Sequence, residues 1–144
     1  MAHAENETII NRPPEDVYAF LADGLNNPKW RSGVQGIALK AGTPGSVGAV
    51  YSQTLTGPGG RPIAGDYEIT KANPSTNLGF QVVAGPARPT GEYQLAPAPA
   101  GTTVRFVLDL QPHGLMRMMA PMIERTMRSE VSQLASLKAV LEAG

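Results

Sequence analysis

The sequence predicts an α+β fold in which a curved antiparallel sheet wraps around one long C-terminal helix. Three observations predict it. Residues 115–142 carry a one-sided apolar stripe: at 100° per residue Met116, Met119, Ala120, Ile123, Met127, Val131, Leu134, Leu137 and Leu141 share a face, while Arg117, Glu124, Arg125, Arg128, Ser129, Ser136 and Glu142 fall elsewhere. Residues 34–111 instead alternate apolar and polar side chains in short runs separated by turns. Half-buried strands joined by short turns make a sheet with one wet face and one dry face. Only the terminal helix, about 40 Å long for ~28 residues, can cover the dry one.

Taken in order, residues 7–11 (ETIIN) form a short strand, and Arg12-Pro13-Pro14-Glu15-Asp16 then supplies the prolines and acids that suit the first turn of a helix. Val17, Tyr18, Phe20 and Leu21 continue that helix until Asp23, Gly24 and Asn26 interrupt it. Asn27-Pro28-Lys29-Trp30 makes a second helical turn with the only Trp. Six strands follow at about residues 34–40, 47–56, 63–72, 78–83, 90–96 and 102–111. The last is the clearest, with Val104, Phe106, Leu108 and Leu110 on one face and Thr103, Arg105, Asp109 and Gln111 on the other. The same rule turns Ile63, Tyr67, Ile69, Phe80, Val82, Tyr93 and Leu95 inward, and the strand from Val47 buries Ala49, Tyr51, Gln53 and Leu55. Pro121 lacks a donor and collides with the carbonyl four residues back, so a kink or break is expected there.

Residues 1–144 are expected to form one domain with one core. Twelve basic and twelve acidic residues leave no net charge and no basic block, so nucleic acid is not an expected partner. The first twenty residues include Glu5, Glu7, Arg12, Glu15 and Asp16 and lack a secretory apolar run, and no segment approaches the ~20 apolar residues of a membrane span. A cytoplasmic, soluble protein is expected. The absence of Cys removes disulfides and thiolate chemistry, and His3 and His113 alone make a histidine metal site unexpected. Gly and Pro, 16 and 13 residues, cluster at residues 42–48, 57–62, 73–77, 85–89 and 97–101, where they punctuate the strands.

Conventional catalytic signatures are missing. Ser52, Ser75, Ser129, Ser132 and Ser136 lie in no Gly-x-Ser-x-Gly setting, there is no phosphate loop or dinucleotide fingerprint, and Gly57-Pro58-Gly59-Gly60 reads as a hairpin loop. Several residues nonetheless point inward with chemistry. Trp30 can stack on an aromatic ligand or plug the end of the core. Tyr51, Tyr67 and Tyr93 each bring a hydroxyl that needs a partner, from a ligand or from backbone and water. Gln53 places an amide on an apolar face, which requires a hydrated cavity or a polar contact to a ligand. Five of the six Met residues fall between Met116 and Met127, as flexible lining for a cavity or as ordinary packing. His113 is the only plausible near-neutral acid or base inside the domain, in a loop beside the final strand, where it is otherwise expected as a solvent-exposed loop residue. Arg88 and Glu92 can pair along an edge, while Arg117, Arg125 and Arg128 form the wet face of the helix.

The chain resembles the SRPBCC superfamily, also called START-like or Bet-v-1-like, and in particular its polyketide cyclase/dehydrase-like branch. The resemblance rests on IINRPPEDVYAFLADGLNNPKW from Ile9 to Trp30, the GAVYSQ strand from Gly48, YEITKANP from Tyr67, RPTGEYQL from Arg88 and LMRMMAPMIERTMRSEVSQLASLKAVL at the end, in that order and spacing. It implies a helix-grip fold: a seven-stranded antiparallel sheet around a long C-terminal helix, with two short helices after the first strand. It also implies a deep cavity between sheet and helix for an apolar or aromatic small molecule, lipid- or polyketide-like, with no cofactor and no metal. On that footing the expected lining is Trp30, Tyr51, Gln53, Tyr67, Phe80, Tyr93, Phe106, Met119 and Ile123. The alternative is a cyclase or dehydratase in which His113 or a cavity Tyr moves a proton. No catalytic set of the family can be matched onto this sequence, and the name cyclase is then an analogy of fold. A surface-acting module with a filled core, as a possible homodimer, is the third reading.

Overall fold

The chain begins as a strand, β1 (Ala2–Ile10), passes through α1 (Pro14–Ala22), a single turn at Gly24–Asn26 and α2 (Asn27–Trp30), and then builds the rest of a sheet. A computed structural model describes residues 2–85 and 87–144. The remaining strands are β2 (Val34–Ala41), β3 (Val50–Thr56), β4 (Pro62–Ala64), β5 (Tyr67–Asn73), β6 (Asn77–Val82), β7 (Thr90–Ala98) and β8 (Gly101–Leu110). A tight helical segment at Gly114–Met119 leads into α3 (Ala120–Ser132) and α4 (Leu134–Ala143). The strands run β1-β8-β7-β6-β5-β3-β2, with β4 paired on β3. Every pairing is antiparallel, so the first strand closes against the last and the helices lie across one face: a helix-grip fold.

The expected seven strands become eight because residues 63–72 do not run through. Gly65 N–H donates to Gln53 O at 2.7 Å and Asp66 Oδ1 accepts from Gln53 N–H at 3.1 Å, so the chain breaks out of the ladder between β4 and β5. The first strand is longer than expected and starts at Ala2. Its buried positions there are Ala2 and Ala4, too small to give an apolar alternation in the sequence. Inward faces otherwise follow the alternation, with Val104, Phe106, Leu108 and Leu110 buried on β8 and Ala49, Tyr51 and Gln53 buried around β3, while Leu55, Ile63 and Val82, also expected inward, are only half-buried.

The terminal helix departs most from expectation. Pro121 sits in the first turn of α3, where its missing N–H costs nothing, and the chain before it is wound as a tighter 3₁₀ turn. The expected break at Pro121 is therefore a change of helix type. A second break at Gln133 separates α3 from α4. Gln133 spends its side chain on Ser32, accepting from Ser32 N–H at 3.0 Å and donating to Ser32 Oγ at 3.2 Å, which ties the break to the turn after α2. The two helices are anchored unequally. Leu134 and Leu137 of α4 are fully buried, and Arg12 donates to Glu142 O at 3.0 Å, holding the end of α4 against the start of α1. In α3 only Met127 and Val131 are buried, and before it Leu115 and Met118 stand 83% exposed.

At the sheet edge His3 is held between Asp109 and Glu5, which also accepts from Arg105 at 2.6 Å, while His3 N–H reaches Glu124 at 3.5 Å. The hydrogen bonds to Asp109 and then Glu5 raise the His3 pKa above its ordinary value. A raised pKa in the folded state means that this contribution to stability is fully present below the unfolded value of about 6.5 and is lost as pH rises through the folded value. His3→Gln is therefore expected to flatten the pH dependence of unfolding in that window, with a His3 NMR titration midpoint above 6.5 in the parent; a midpoint at or below 6.5 refutes it.

Candidate functional site

Five neighbouring strands each contribute one ring to the inner face of the sheet. Tyr51 of β3 stacks on Tyr67 of β5 with centroids 5.2 Å apart, and Tyr67 meets Phe80 of β6 edge-on at 5.5 Å. Phe80 lies 6.0 Å from Tyr93 of β7, which stacks on Phe106 of β8 at 4.5 Å. Trp30, at the end of α2, covers the far end with edge contacts to Tyr93 and Phe106 at 6.2 and 6.3 Å. The result is a continuous aromatic belt whose offset and edge-to-face pairs are the favourable geometries. Two glycines make room for it. A Cβ on Gly24 would run into Tyr67 Oη and the Tyr51 ring, and one on Gly91 would run into the ring of Phe80, which lies across from it in the β6–β7 ladder.

A polar group sits against the belt. Asn27 of α2 is buried and donates from Nδ2 to Gln53 Oε1 at 3.1 Å and to Tyr67 Oη at 3.0 Å. Gln53 in turn donates to Gly65 O at 3.2 Å. The inward amide of Gln53, costly if left alone, is thus satisfied by a partner from the short helix and by the β4–β5 break. Asn27→Ala strips the donor from both Gln53 and Tyr67, and is expected to destabilise the fold by about 1–3 kcal/mol in urea unfolding; a change near zero would mean that water replaces the amide freely.

Next to Asn27, Arg31 closes the end of α2 and turns its guanidinium inward, where Nη2 donates to Glu130 Oε2 of α3 at 2.8 Å. Burial alone would lower the Arg31 pKa, but Glu130 and the neighbouring Tyr93 and Tyr67 together more than offset it and the group stays charged. Arg31 Nε, Trp30 Nε1 and Tyr18 Oη are buried without a hydrogen-bond partner among the described residues. Burial pushes the Tyr93 pKa up to about 12, against the pull of Arg31, and raises that of Tyr67 as well. Both hydroxyls are therefore neutral donors at physiological pH. Between Leu21, Asn27, Arg31, Tyr67, Phe80 and Tyr93 lies a void of ≈ 10 Å³, room for about one water.

Of the nine residues expected to line a cavity, Trp30, Tyr51, Gln53, Tyr67, Phe80, Tyr93 and Phe106 are brought together in this interior. Tyr67, Phe80 and Tyr93 border the void, and Tyr51 is satisfied elsewhere, accepting from Gly45 N–H at 3.2 Å and facing Ala22 O. Ile123 is half-buried against the edge of the core. Met119, expected inside, is 48% exposed. The reason is the tighter winding of residues 114–119, which takes the Met-rich turns out of phase with the stripe on α3 and α4. His113 is exposed and does not border the void. Glu92 pairs with Lys71 at 3.6 Å while Arg88 Nε donates to Gly85 O, so the expected Arg88–Glu92 pair does not form. Asn27, Arg31 and Glu130 were not legible as site residues. Asn27 reads only as the start of a helical turn, and Arg31 and Glu130, 99 positions apart, are joined only in the folded chain.

A family described as polyketide cyclase / dehydrase and lipid transport matches residues 1–142. The chain belongs to this family. No protein of curated function matches it. Among solved structures, a protein from Thermus thermophilus superposes with a TM-score of 0.77 at 20% identity, covering 99% of this chain and 98% of its own. A START superfamily protein from Mycobacterium smegmatis gives 0.76 at 14% identity, covering 99% and 96%. A Nitrosomonas europaea protein gives 0.75 at 12% identity, covering 99% and 95%. At these identities the likeness establishes a shared fold. The polyketide cyclase and lipid transport family and its START-like fold point to binding of a hydrophobic ligand. No helix of the described residues is long and apolar enough to cross a membrane.

Proposed function

We propose that the protein binds one apolar or aromatic small molecule, lipid- or polyketide-like, between the inner face of the sheet and α3. The observation that carries this reading is the aromatic belt: six rings in a continuous run of contacts, three of which, Tyr67, Phe80 and Tyr93, border a void together with the polar Asn27 and Arg31. Aromatic faces accept flat ligands, and a few convergent polar groups in an apolar concavity fix their orientation. A void of ≈ 10 Å³, bordered by residues of α1, the α2 turn and the sheet, does not hold such a molecule, so binding requires the interior to open, in this reading by a lift of α3 from the sheet. The unequal anchoring supports that motion. Helix α4 is pinned by Leu134 and Leu137, whereas α3 is held by Met127, Val131, the bond from Asn6 Nδ2 to Val131 O at 3.1 Å and the Arg31–Glu130 pair, with a break at Gln133 between them.

Titration with N-phenylnaphthylamine, a neutral dye that fluoresces on leaving water, tests the reading. One saturable site is expected, and Trp30, the only tryptophan, should lose emission along the same curve. A signal that rises without saturation, or saturation with no response from Trp30, would overturn it.

A further inference from the structure

We propose that the ligand's buried end carries an uncharged carbonyl-type oxygen, which accepts hydrogen bonds from Arg31 Nε and from a neighbouring tyrosine hydroxyl. This rests on the small-molecule reading above and specifies the chemistry of that molecule. The interior is lopsided in its polar groups. Three of its acceptors are used: Gln53 Oε1 receives Asn27, Gly65 O receives Gln53, and Glu130 Oε2 receives Arg31 Nη2. Its donors are not. Arg31 Nε is buried without a partner among the described residues, and Arg31 borders the void together with Tyr67 and Tyr93. Tyr67 Oη already accepts from Asn27, which leaves its own proton to give.

A hydrocarbon placed here would bury those donors unsatisfied, whereas an acceptor oxygen satisfies them. The charge balance selects the kind of acceptor. Glu130 lies 2.8 Å from Arg31 and already neutralises it, so a carboxylate would bring an unmatched negative charge into the interior. A ketone, quinone or ester oxygen brings none.

The test uses prodan, a naphthyl ketone, beside its analogue in which a methylene replaces the carbonyl, and a naphthyl carboxylate of the same size. The parent protein is expected to bind the ketone about tenfold or more tighter than the methylene analogue, and tighter than the carboxylate. In the Arg31→Met/Glu130→Met double variant, which removes both charges together, the ketone preference should fall to within about twofold. The carbonyl stretch of the ketone bound to the parent protein gives a readout that needs no variant: it should lie at or below its frequency in alcohol. Equal binding of ketone and methylene analogue, a hydrocarbon-like stretch, or a preference kept by the folded double variant overturns this inference while leaving the binding reading standing. A carboxylate that binds more tightly than the ketone overturns the uncharged acceptor. Saturable binding of none of the three overturns both.

Discussion

Phe106→Ala is expected to lower the free energy of unfolding by about 3–5 kcal/mol, among the largest effects of any single substitution in the molecule. Phe106 has no exposure, stacks on Tyr93 at 4.5 Å and meets the edge of Trp30 at 6.3 Å. Truncation removes the ring from water-free surroundings and leaves a hole bounded by strands β7 and β8 in full register, which cannot collapse into it. The position also lies within the belt against both Trp30 and Tyr93, so its loss frees the two rings at once. Urea unfolding followed by circular dichroism measures the effect, and Met118→Ala, at an 83% exposed site, is the matched control expected near zero. A loss below about 1 kcal/mol for Phe106→Ala would mean that the rings repack and the belt is not a fixed unit.

Arg31→Met is expected to cost about 3 kcal/mol, at the lower end for breaking a buried pair because Glu130 retains some access to water. The substitution leaves a carboxylate facing apolar and aromatic surroundings with its cation gone. It also removes the strongest polar tie between α2 and α3, since the other link across this gap is the Gln133–Ser32 pair at the helix break. Replacing both partners, Arg31→Met with Glu130→Met, should recover most of the loss, because two apolar side chains of similar length pack without desolvating a charge. Comparing the two singles and the double in a thermodynamic cycle gives the coupling directly. If the single and the double are equally destabilised, the contribution of Arg31 is packing of its aliphatic stem and not its charge. The double also separates stability from recognition, since it removes the donor at Nε while keeping α3 docked.

How far the site was legible can be followed residue by residue. Tyr67, Phe80, Tyr93 and Phe106 were readable because a strand exposes one parity of its residues to the core, so alternation alone assigns their direction. Gln53 was readable as an anomaly, an amide at an apolar parity. Its partner was not, because Asn27 belongs to a four-residue helix whose side chains meet the sheet at a distance of 26 positions. Met119 misled for a different reason. The 100° period holds along α3 and α4, but the preceding turns are wound more tightly and their apolar side chains leave the stripe. The Arg31–Glu130 pair carried no signal, since an arginine after a tryptophan and a glutamate beside the apolar stripe both read as surface residues.

The sequence by itself determined the order of elements, the turns, the parity of the strand faces and the presence of one amphipathic segment long enough to close the sheet. These follow from local physics: proline and glycine restrict backbone angles, and periods of 2 and 3.6 residues separate wet faces from dry ones. The tertiary structure alone decided that β1 pairs with β8 and that the terminal helix divides at Gln133. It also decided that Asn27, Arg31 and Tyr67 border one void, with Gln53 and Glu130 bonded to them. Each of these arrangements joins residues far apart in the chain. Their energies depend on distance and desolvation in the folded interior, quantities that exist only once the sheet has curled around the helices.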